Sequence, residues 1–475
     1  MGKRIVSAAV SAVMACCAAV ISPVFGQSAT AGLKDVYANH FRLGSILNGS
    51  TVNSAAMKQV VLKEFNSITP ENELKPDQTI VQSGSTNDNV KVQLGNGAKA
   101  ILKFCEDNNI PVRGHTLVWH SQTPGWFFRE NFSANGAVVT PAVMDKRMES
   151  YIKNMFALIT SSYPKLKLYA YDVVNEAASE SGGPRTAGTD AGGGQSMWVQ
   201  VYKDNSFIEK AFTYARKYAP ATTKLFYNDY NEYIQAKRDY IANSIVKPLK
   251  QKGLIDGMGM QSHLDVRTGS DPYPSAALYG QAVTIYKNLG VEIHVTELDA
   301  TVNDGNESYF PAQATYYKNI MNEILSKGGD AVKAVVVWGI QDDQSWRKAR
   351  KPLLFNASGQ KKAAYNELVK LIPESNWGDG NNPGGGSPTP IAASVKSPAR
   401  ITPLVTVRDR TVNILSTADA KVSIKLADMR GKTVATFNTH GGDKLSLQKL
   451  PAGAYMIDAK RTQDGYRMTS SVILR

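Results

Sequence analysis

The sequence predicts an α/β chain in which an eight-stranded (β/α)8 barrel is followed by a linker and a small all-β sandwich. Three observations carry that reading. Between residues 27 and 373, short apolar runs alternate with amphipathic helical segments, the order that parallel sheets require. There are eight such runs, the number that closes a TIM barrel; an open doubly wound sheet is the structural alternative. After Leu371 the composition turns to Gly, Pro, Ser and Asn, and beyond residue 400 only short strand patterns and turns remain.

Taken in order, residues 1–26 stand outside the fold. Lys3-Arg4 precede an uncharged apolar stretch that ends near Pro23 and Gly26, which reads as a secretory signal peptide. A membrane anchor is the weaker reading, because Pro23 and small residues interrupt the run. Cys16 and Cys17 leave with it, so Cys105 remains alone, in a helical pattern, as a small core residue.

The eight strand-like runs are residues 41–46, 65–69, 112–119, 168–174, 224–227, 258–262, 291–296 and 334–340. Thr140-Pro141 opens one helix, with Met144, Met148, Ile152 and Phe156 on one face. Ser206 and Glu209 form a capping-box pattern at the start of another. Helical patterns also cover 279–289 and 316–326. The linker spans 374–399. Strand patterns then recur at 404–407, 412–415, 422–426, 433–437, 455–459 and 468–473, giving a domain at 400–475.

Of the net charge of +13, the last 80 residues carry +8, with 14 Lys or Arg, 6 Asp and no Glu. Such a tail favours anionic surfaces. Nucleic acid is not the expected partner, since the chain reads as exported and carries no nucleic-acid-binding motif.

Function is written where the runs end. The second leads to Glu71-Asn72, the third to His120, the fourth to Asn175-Glu176 and the fifth to Asn228-Asp229. The sixth carries Gln261 and His263, the seventh ends in Glu297 and Asp299, and the eighth carries Trp338. In a parallel barrel these ends share one rim, where chemistry is placed. A long loop containing Ser181-Gly-Gly-Pro and Gly192-Gly-Gly follows Glu176.

Two glutamates at strand ends, Glu176 and Glu297, suit glycoside hydrolysis with retention, which needs one carboxyl protonated and one ionised. His263 and Asp299 are positioned in sequence to hold Glu297 ionised. Aromatic surface and the second carboxylate would raise the pKa of Glu176. Trp119, Trp338 and Trp346 offer flat faces for sugar rings. Asn72, Lys75, His115, His120, Asn175 and Gln261 offer hydrogen bonds to hydroxyls. Taken singly, each aromatic also suits a core and each histidine a buried imidazole; His294, inside the seventh run, is read as structural. No HExxH or cysteine-rich spacing supports a metal site, no Gly-x-Ser-x-Gly elbow supports acyl transfer, and no phosphate loop is present. No metal and no cofactor is expected.

The motifs Phe65-Asn-Ser-Ile-Thr-Pro-Glu-Asn-Glu-Leu-Lys75, Arg113-Gly-His-Thr-Leu-Val-Trp-His120, Asp172-Val-Val-Asn-Glu176, Gly259-Met-Gln-Ser-His263, Val295-Thr-Glu-Leu-Asp299 and Val337-Trp-Gly-Ile-Gln-Asp-Asp-Gln-Ser-Trp346 resemble family 10 glycoside hydrolases, the endo-β-1,4-xylanases. The resemblance implies Glu176 as acid/base, Glu297 as nucleophile and Asn175 as the partner of the sugar 2-hydroxyl. It also implies that Glu71, Asn72, Lys75, His115, Trp119, Gln261, His263, Trp338 and Trp346 line the glycone side. Leu74 and Pro76 depart from the family pattern, which bears on fine specificity. The tail, with Val422-Ser-Ile-Lys-Leu-Ala-Asp-Met-Arg-Gly-Lys432 and Leu450-Pro-Ala-Gly-Ala-Tyr-Met456, resembles type IX secretion sorting domains; a carbohydrate-binding module is the alternative. These resemblances imply a secreted or surface-attached monomer whose partners are xylan and, through the tail, secretion machinery or a cell-surface anchor. Preference for β-1,4-glucan, and a non-catalytic polysaccharide binder, are the rival functions.

Overall fold

The eight apolar runs become eight parallel strands: β1 (Arg42–Leu47), β2 (Ser67–Pro70), β3 (Val112–Trp119), β4 (Leu168–Asn175), β5 (Lys224–Asp229), β6 (Gly257–Met260), β7 (Glu292–Thr301) and β8 (Val332–Val337). Each pairs with its neighbour in sequence order, and β8 pairs with β1 from Arg42↔Ala334 to Ser45↔Val337. That last ladder closes the sheet and decides for a barrel over an open doubly wound sheet. The computed structural model describes residues 31–189, 194–267, 272–381, 405–408, 410–415, 420–428, 432–462 and 467–474. The signal peptide expected at 1–26, residues 192–193 of the glycine run and linker residues 382–399 lie outside these. Among the described residues no helix is long and apolar enough to cross a membrane.

Helices follow the strands as α1 (Ala55–Glu64), α2 (Asn96–Asp107), α3 (Pro141–Ser162), α4 (Ser206–Tyr218), α5 (Gln235–Tyr240, continuing through a π-helical Ile241–Val246), α6 (Ala276–Asn288), α7 (Phe310–Glu323) and α8 (Ala363–Lys370). In α3, Pro141 occupies the first turn, Thr140 accepts from the Val143 N–H, and Met144, Met148, Ile152 and Phe156 are buried at four-residue spacing. The start of α4 differs from expectation. Asn205, not Ser206, is the cap residue, and the Ser206 N–H is taken by the Asp204 carboxylate, so the capping box does not form. Cys105 is buried in α2 and His294 in the barrel interior, where its ring stacks on Phe226 at 4.1 Å.

The first unit extends past the expected domain end at 373. Gly378 N–H donates to the Asp35 carbonyl, Asn66 donates to the Gly380 carbonyl, and Lys34 donates to Asn381. Residues 374–381 therefore pack on the barrel, although their composition reads as linker.

The second unit holds two antiparallel sheets. Three strands (Val405–Arg408, Thr411–Ile414, Lys444–Ser446) form one, and four (Thr433–His440, Lys421–Asp428, Gly453–Arg461, Arg467–Leu474) form the other. Val422, Ile424 and Leu426 face a core with Val412, Ile414 and Ile457, while Lys421 and Lys425 face outward, the period of two expected of a half-buried strand. Strand Lys444–Ser446 escaped the sequence reading because it has one apolar residue, Leu445.

Candidate active site

The carboxyl ends of the strands open into a cleft of about 700 Å³. It is lined by Glu71 and Asn72 after β2, Trp119 and His120 at the end of β3, Asn175 and Glu176 at the end of β4, Gln261 and His263 after β6, Glu297 on β7 and Trp338 after β8, together with Lys75, His115 and Trp346. Every lining residue expected from the sequence is thus brought to one place, with Asp299 behind His263. Barrel closure does this: Glu176 and Glu297 are far apart in the chain but sit three strands apart around the ring.

The backbone leaves β4 abruptly at Glu176. Its φ of 55° is a left-handed step, uncommon outside glycine, and its N–H donates to the Asn228 carbonyl of β5 at 2.9 Å. The step turns the side chain from the sheet into the cleft. There Oε2 accepts from the Trp119 indole N–H (2.9 Å), and Oε1 accepts from Gln261 Nε2 (2.9 Å) and Asn175 Nδ2 (3.3 Å). Trp119 and Gln261, expected to serve sugars, here spend donors on a carboxyl group.

Glu297 is held differently. Oε2 lies 3.1 Å from His263 Nε2, and Oε1 accepts from Asn228 Nδ2 at 2.9 Å. His263 Nδ1 lies 3.0 Å from Asp299 Oδ2, off the N–H axis. Asp299 is itself fixed by Arg347 (2.8 Å) and the Trp346 indole (3.1 Å). Asn228 also donates to Asn175 Oδ1 (3.0 Å) and accepts from Thr296 Oγ1 (2.6 Å). Two amides therefore bridge the two carboxyl groups. Asn228 fits there because residue 259 is glycine: a Cβ at that position would stand 2.3 Å from Asn228 Oδ1.

These surroundings push the two carboxyls in opposite directions. Burial raises the Glu176 carboxyl, and the charges of Asp229 and Glu297 raise it further, against the hydrogen bonds from Gln261 and Trp119. Burial also acts on Glu297, but the His263 hydrogen bond, the charges of His115 and His263 and the Asn228 amide outweigh it and hold the group at about 2. Burial works against the His263 cation as well, yet Asp299 and Glu297 lift it to about 10, so it stands as an imidazolium between two carboxylates. One glutamate is thereby pushed towards its protonated form and the other held as an anion.

Around this pair, Glu71 accepts from Asn48 at 2.8 Å, and Lys75 donates to Asn72 (2.9 Å) and Gln122 (3.0 Å) beneath the Trp119 ring. His115 Nδ1 lies 3.0 Å from Asp172, which also pairs with the buried Arg113. Burial and the nearby Arg185 and Lys237 push His120 down to about 3, which leaves it neutral. Trp338 is buried, whereas Trp346 is 60% exposed at the cleft mouth, its ring 5.0 Å from that of His263.

Sequence reasoning missed several groups. Arg185 donates to the Glu176 carbonyl and lies 3.9 Å from its carboxylate; Tyr230, Asn231, Gln122, Gly194 and Arg347 complete the lining. Asp229 is fully buried against Lys237 (2.9 Å) and Tyr227 and is the charge that most raises Glu176. Asn228 and Asp229 were visible as a polar strand end; Arg185 sits in the glycine-rich loop, where nothing local distinguishes it. Among the described residues no group of three or more His, Cys, Asp or Glu has metal-holding geometry.

Comparison with known proteins agrees with this architecture. The family model described as "Glycosyl hydrolase family 10" matches residues 32–371, and "Secretion system C-terminal sorting domain" matches residues 408–475. The chain is 55% identical over 372 residues to endo-1,4-beta-xylanase Y of Acetivibrio thermocellus, covering 75% of this chain and 34% of that protein. It is 46% identical to the bifunctional endo-1,4-beta-xylanase XylA of Ruminococcus flavefaciens (71% and 34%) and 32% identical to endo-1,4-beta-xylanase A of Butyrivibrio fibrisolvens (78% and 91%). It thus spans about a third of the length of the first two. A solved structure of the CBM22-1–GH10 modules of Clostridium thermocellum endo-1,4-beta-D-xylanase 10B, in complex with xylohexaose, superposes with a TM-score of 0.70 at 54% identity, covering 74% of this chain and 70% of that one.

Proposed function

Because the chain belongs to glycosyl hydrolase family 10, we propose that it is a secreted, retaining endo-1,4-β-xylanase that cuts internal β-1,4 linkages of xylan. The observation that carries the proposal is the opposed tuning of two carboxyl groups joined by the Asn228 and Asn175 amides.

In this reading Glu297, held ionised, attacks the anomeric carbon. The bond from that carbon to the leaving oxygen breaks, and the oxygen takes the proton of Glu176. A covalent glycosyl-enzyme results. Glu176, now a carboxylate, takes a proton from a water whose oxygen attacks the same carbon and releases Glu297. His263 and Asp299 keep Glu297 oriented. The Asn175 amide nitrogen, whose contact to Glu176 is long at 3.3 Å, donates to the sugar 2-hydroxyl, while its Oδ1 stays held by Asn228 and Gln261. Trp338 and Trp346 give the ring its apolar faces, and Glu71, Asn72, Lys75, His115 and His120 supply donors and acceptors to the hydroxyls. Trp119 and Gln261 act mainly on Glu176.

The tail's match to secretion sorting domains and its charge of +8 support export to the medium or attachment at the cell surface after removal of the signal peptide. The protein is taken as a monomer, which light scattering of the purified chain tests.

Reducing-sugar release from xylan and from carboxymethylcellulose tests the activity, and NMR of the first-formed anomer tests retention. Release from xylan with β-product appearing first is the expected outcome. Equal release from the glucan, or α-product first, refutes the respective part. Glu297→Ala abolishes turnover. Glu176→Ala loses far more on xylan than on activated aryl glycosides, which need no proton; equal losses refute its role as acid.

A further inference from the structure

Ser262 lies between two residues that serve different carboxyl groups. Gln261 donates to Glu176 at 2.9 Å, and His263 contacts Glu297 at 3.1 Å. The chain does not run straight between them. Strand β6 ends at Met260, which pairs with Val295, and Ser262 takes a left-handed φ of 62°. The chain then re-enters a second ladder beside the end of β7, with His263 opposite Asp299. A non-glycine residue in that conformation is retained only when its surroundings over-determine it.

Those surroundings are outside the cleft and fully buried. Ser262 Oγ donates to Glu232 Oε1 at 3.2 Å and shares a hydrogen bond of 2.7 Å with the Tyr279 hydroxyl, in which either oxygen can donate. Seven residues further along α6, on the same helix face, Tyr286 donates to the Glu232 carbonyl at 2.9 Å. One helix thus grips both the loop after β5 and the turn after β6. None of these three residues lines the cleft, and Glu232 Oε2 has no hydrogen-bond partner.

We infer that Ser262, Glu232 and Tyr279 are positioning residues that hold the turn between Gln261 and His263, so that a single buried anchor aligns both carboxyl groups at once. The inference rests on the hydrolase reading for its kinetic consequence but not for its geometry. If the anchor loosens, Glu297 loses part of the His263 contact that keeps it ionised, and Glu176 loses part of the Gln261 bond that opposes its rise. Both carboxyls then move up together. The charged and titratable groups facing Glu232 are Asp229, Tyr233 and Lys237, with Tyr279 and Tyr286 from α6; those facing the turn are Glu176, Glu297 and Asp299.

The test uses Ser262→Gly, because glycine adopts a positive φ without strain and only the small hydroxymethyl side chain is lost, and Tyr279→Phe, which removes the hydrogen bond to that hydroxyl. In both, kcat on xylo-oligosaccharides falls about tenfold, KM stays within about twofold, and both limbs of the kcat/KM pH profile shift to higher pH. NMR titration of the His263 ring in the full chain shows its midpoint falling towards that of an ordinary histidine. Wild-type kcat and pH limbs in both variants, with or without a lower Tm, overturn the inference. If the wild-type protein releases no sugar from xylan, the functional reading fails. The His263 midpoint still decides the anchor: a fall in Ser262→Gly supports it and an unchanged midpoint overturns it.

Discussion

Replacing Asn228 by aspartate tests the electrostatic division of the two glutamates with almost no change of shape. The amide nitrogen now 2.9 Å from Glu297 Oε1 becomes a carboxylate oxygen. Two like charges about 3 Å apart repel by about 6 kcal/mol at an effective dielectric of about 20, which equals about four pKa units. Glu297 starts at about 2, so the pair takes up its shared proton near pH 6. Asn175 Oδ1 also loses one of its two amide donors, leaving Gln261 at 3.2 Å. The acid limb of kcat/KM on xylo-oligosaccharides therefore moves from below pH 3 to about pH 6, and the rate at pH 5 drops at least about tenfold from protonation alone. The assay is a pH series with a soluble aryl xylobioside, accompanied by thermal melts to show that the variant is folded. An acid limb left in place, with a rate at pH 5 within about threefold of wild type, would refute Asn228 as one of the groups, beside His263, that set the charge state of Glu297.

Two further outcomes follow from buried and packed groups. The Glu232 carboxyl is raised by burial to about 8, well above its unfolded value, so its contribution to stability is complete below about pH 4.5 and lost as pH rises through 8. Calorimetry of wild type against Glu232→Gln checks this: the difference in stability changes by up to about 5 kcal/mol across that window, and parallel curves contradict the buried-acid account. Truncation after Asn381 leaves the Tm of the barrel unchanged, whereas truncation after Leu371 removes the bonds from Gly378, to Gly380 and to Asn381, each worth about 1 kcal/mol, and lowers it by several degrees. Equal melts for the two truncations would show that residues 372–381 do not support the fold.

The strand and helix order was legible because it depends on near neighbours. Residues 168–174 read as a doubly buried strand from composition alone, and α3 announced itself through Pro141 and a four-residue apolar spacing. Boundaries were less so. β7 runs on to Thr301 rather than stopping at Thr296, because the segment His263–Asp265 pairs with its end, a partner no local pattern reveals. The α4 cap shifted by one residue because Asp204 reached the Ser206 N–H first.

By itself the sequence determined which residues line the cleft. Polar side chains placed at the ends of apolar runs must gather on one rim once the runs are parallel, so Glu176, Glu297, His263 and the tryptophans could be named in advance. What only the tertiary structure decided is how each is used. Closure of β8 on β1 sets two amides between the glutamates, points hydrogen-bond donors of Trp119 and Gln261 at Glu176, and buries Asp229 where its charge raises Glu176. Those roles depend on distances of about 3 Å and on exclusion of water, and both arise from packing between segments far apart in the chain.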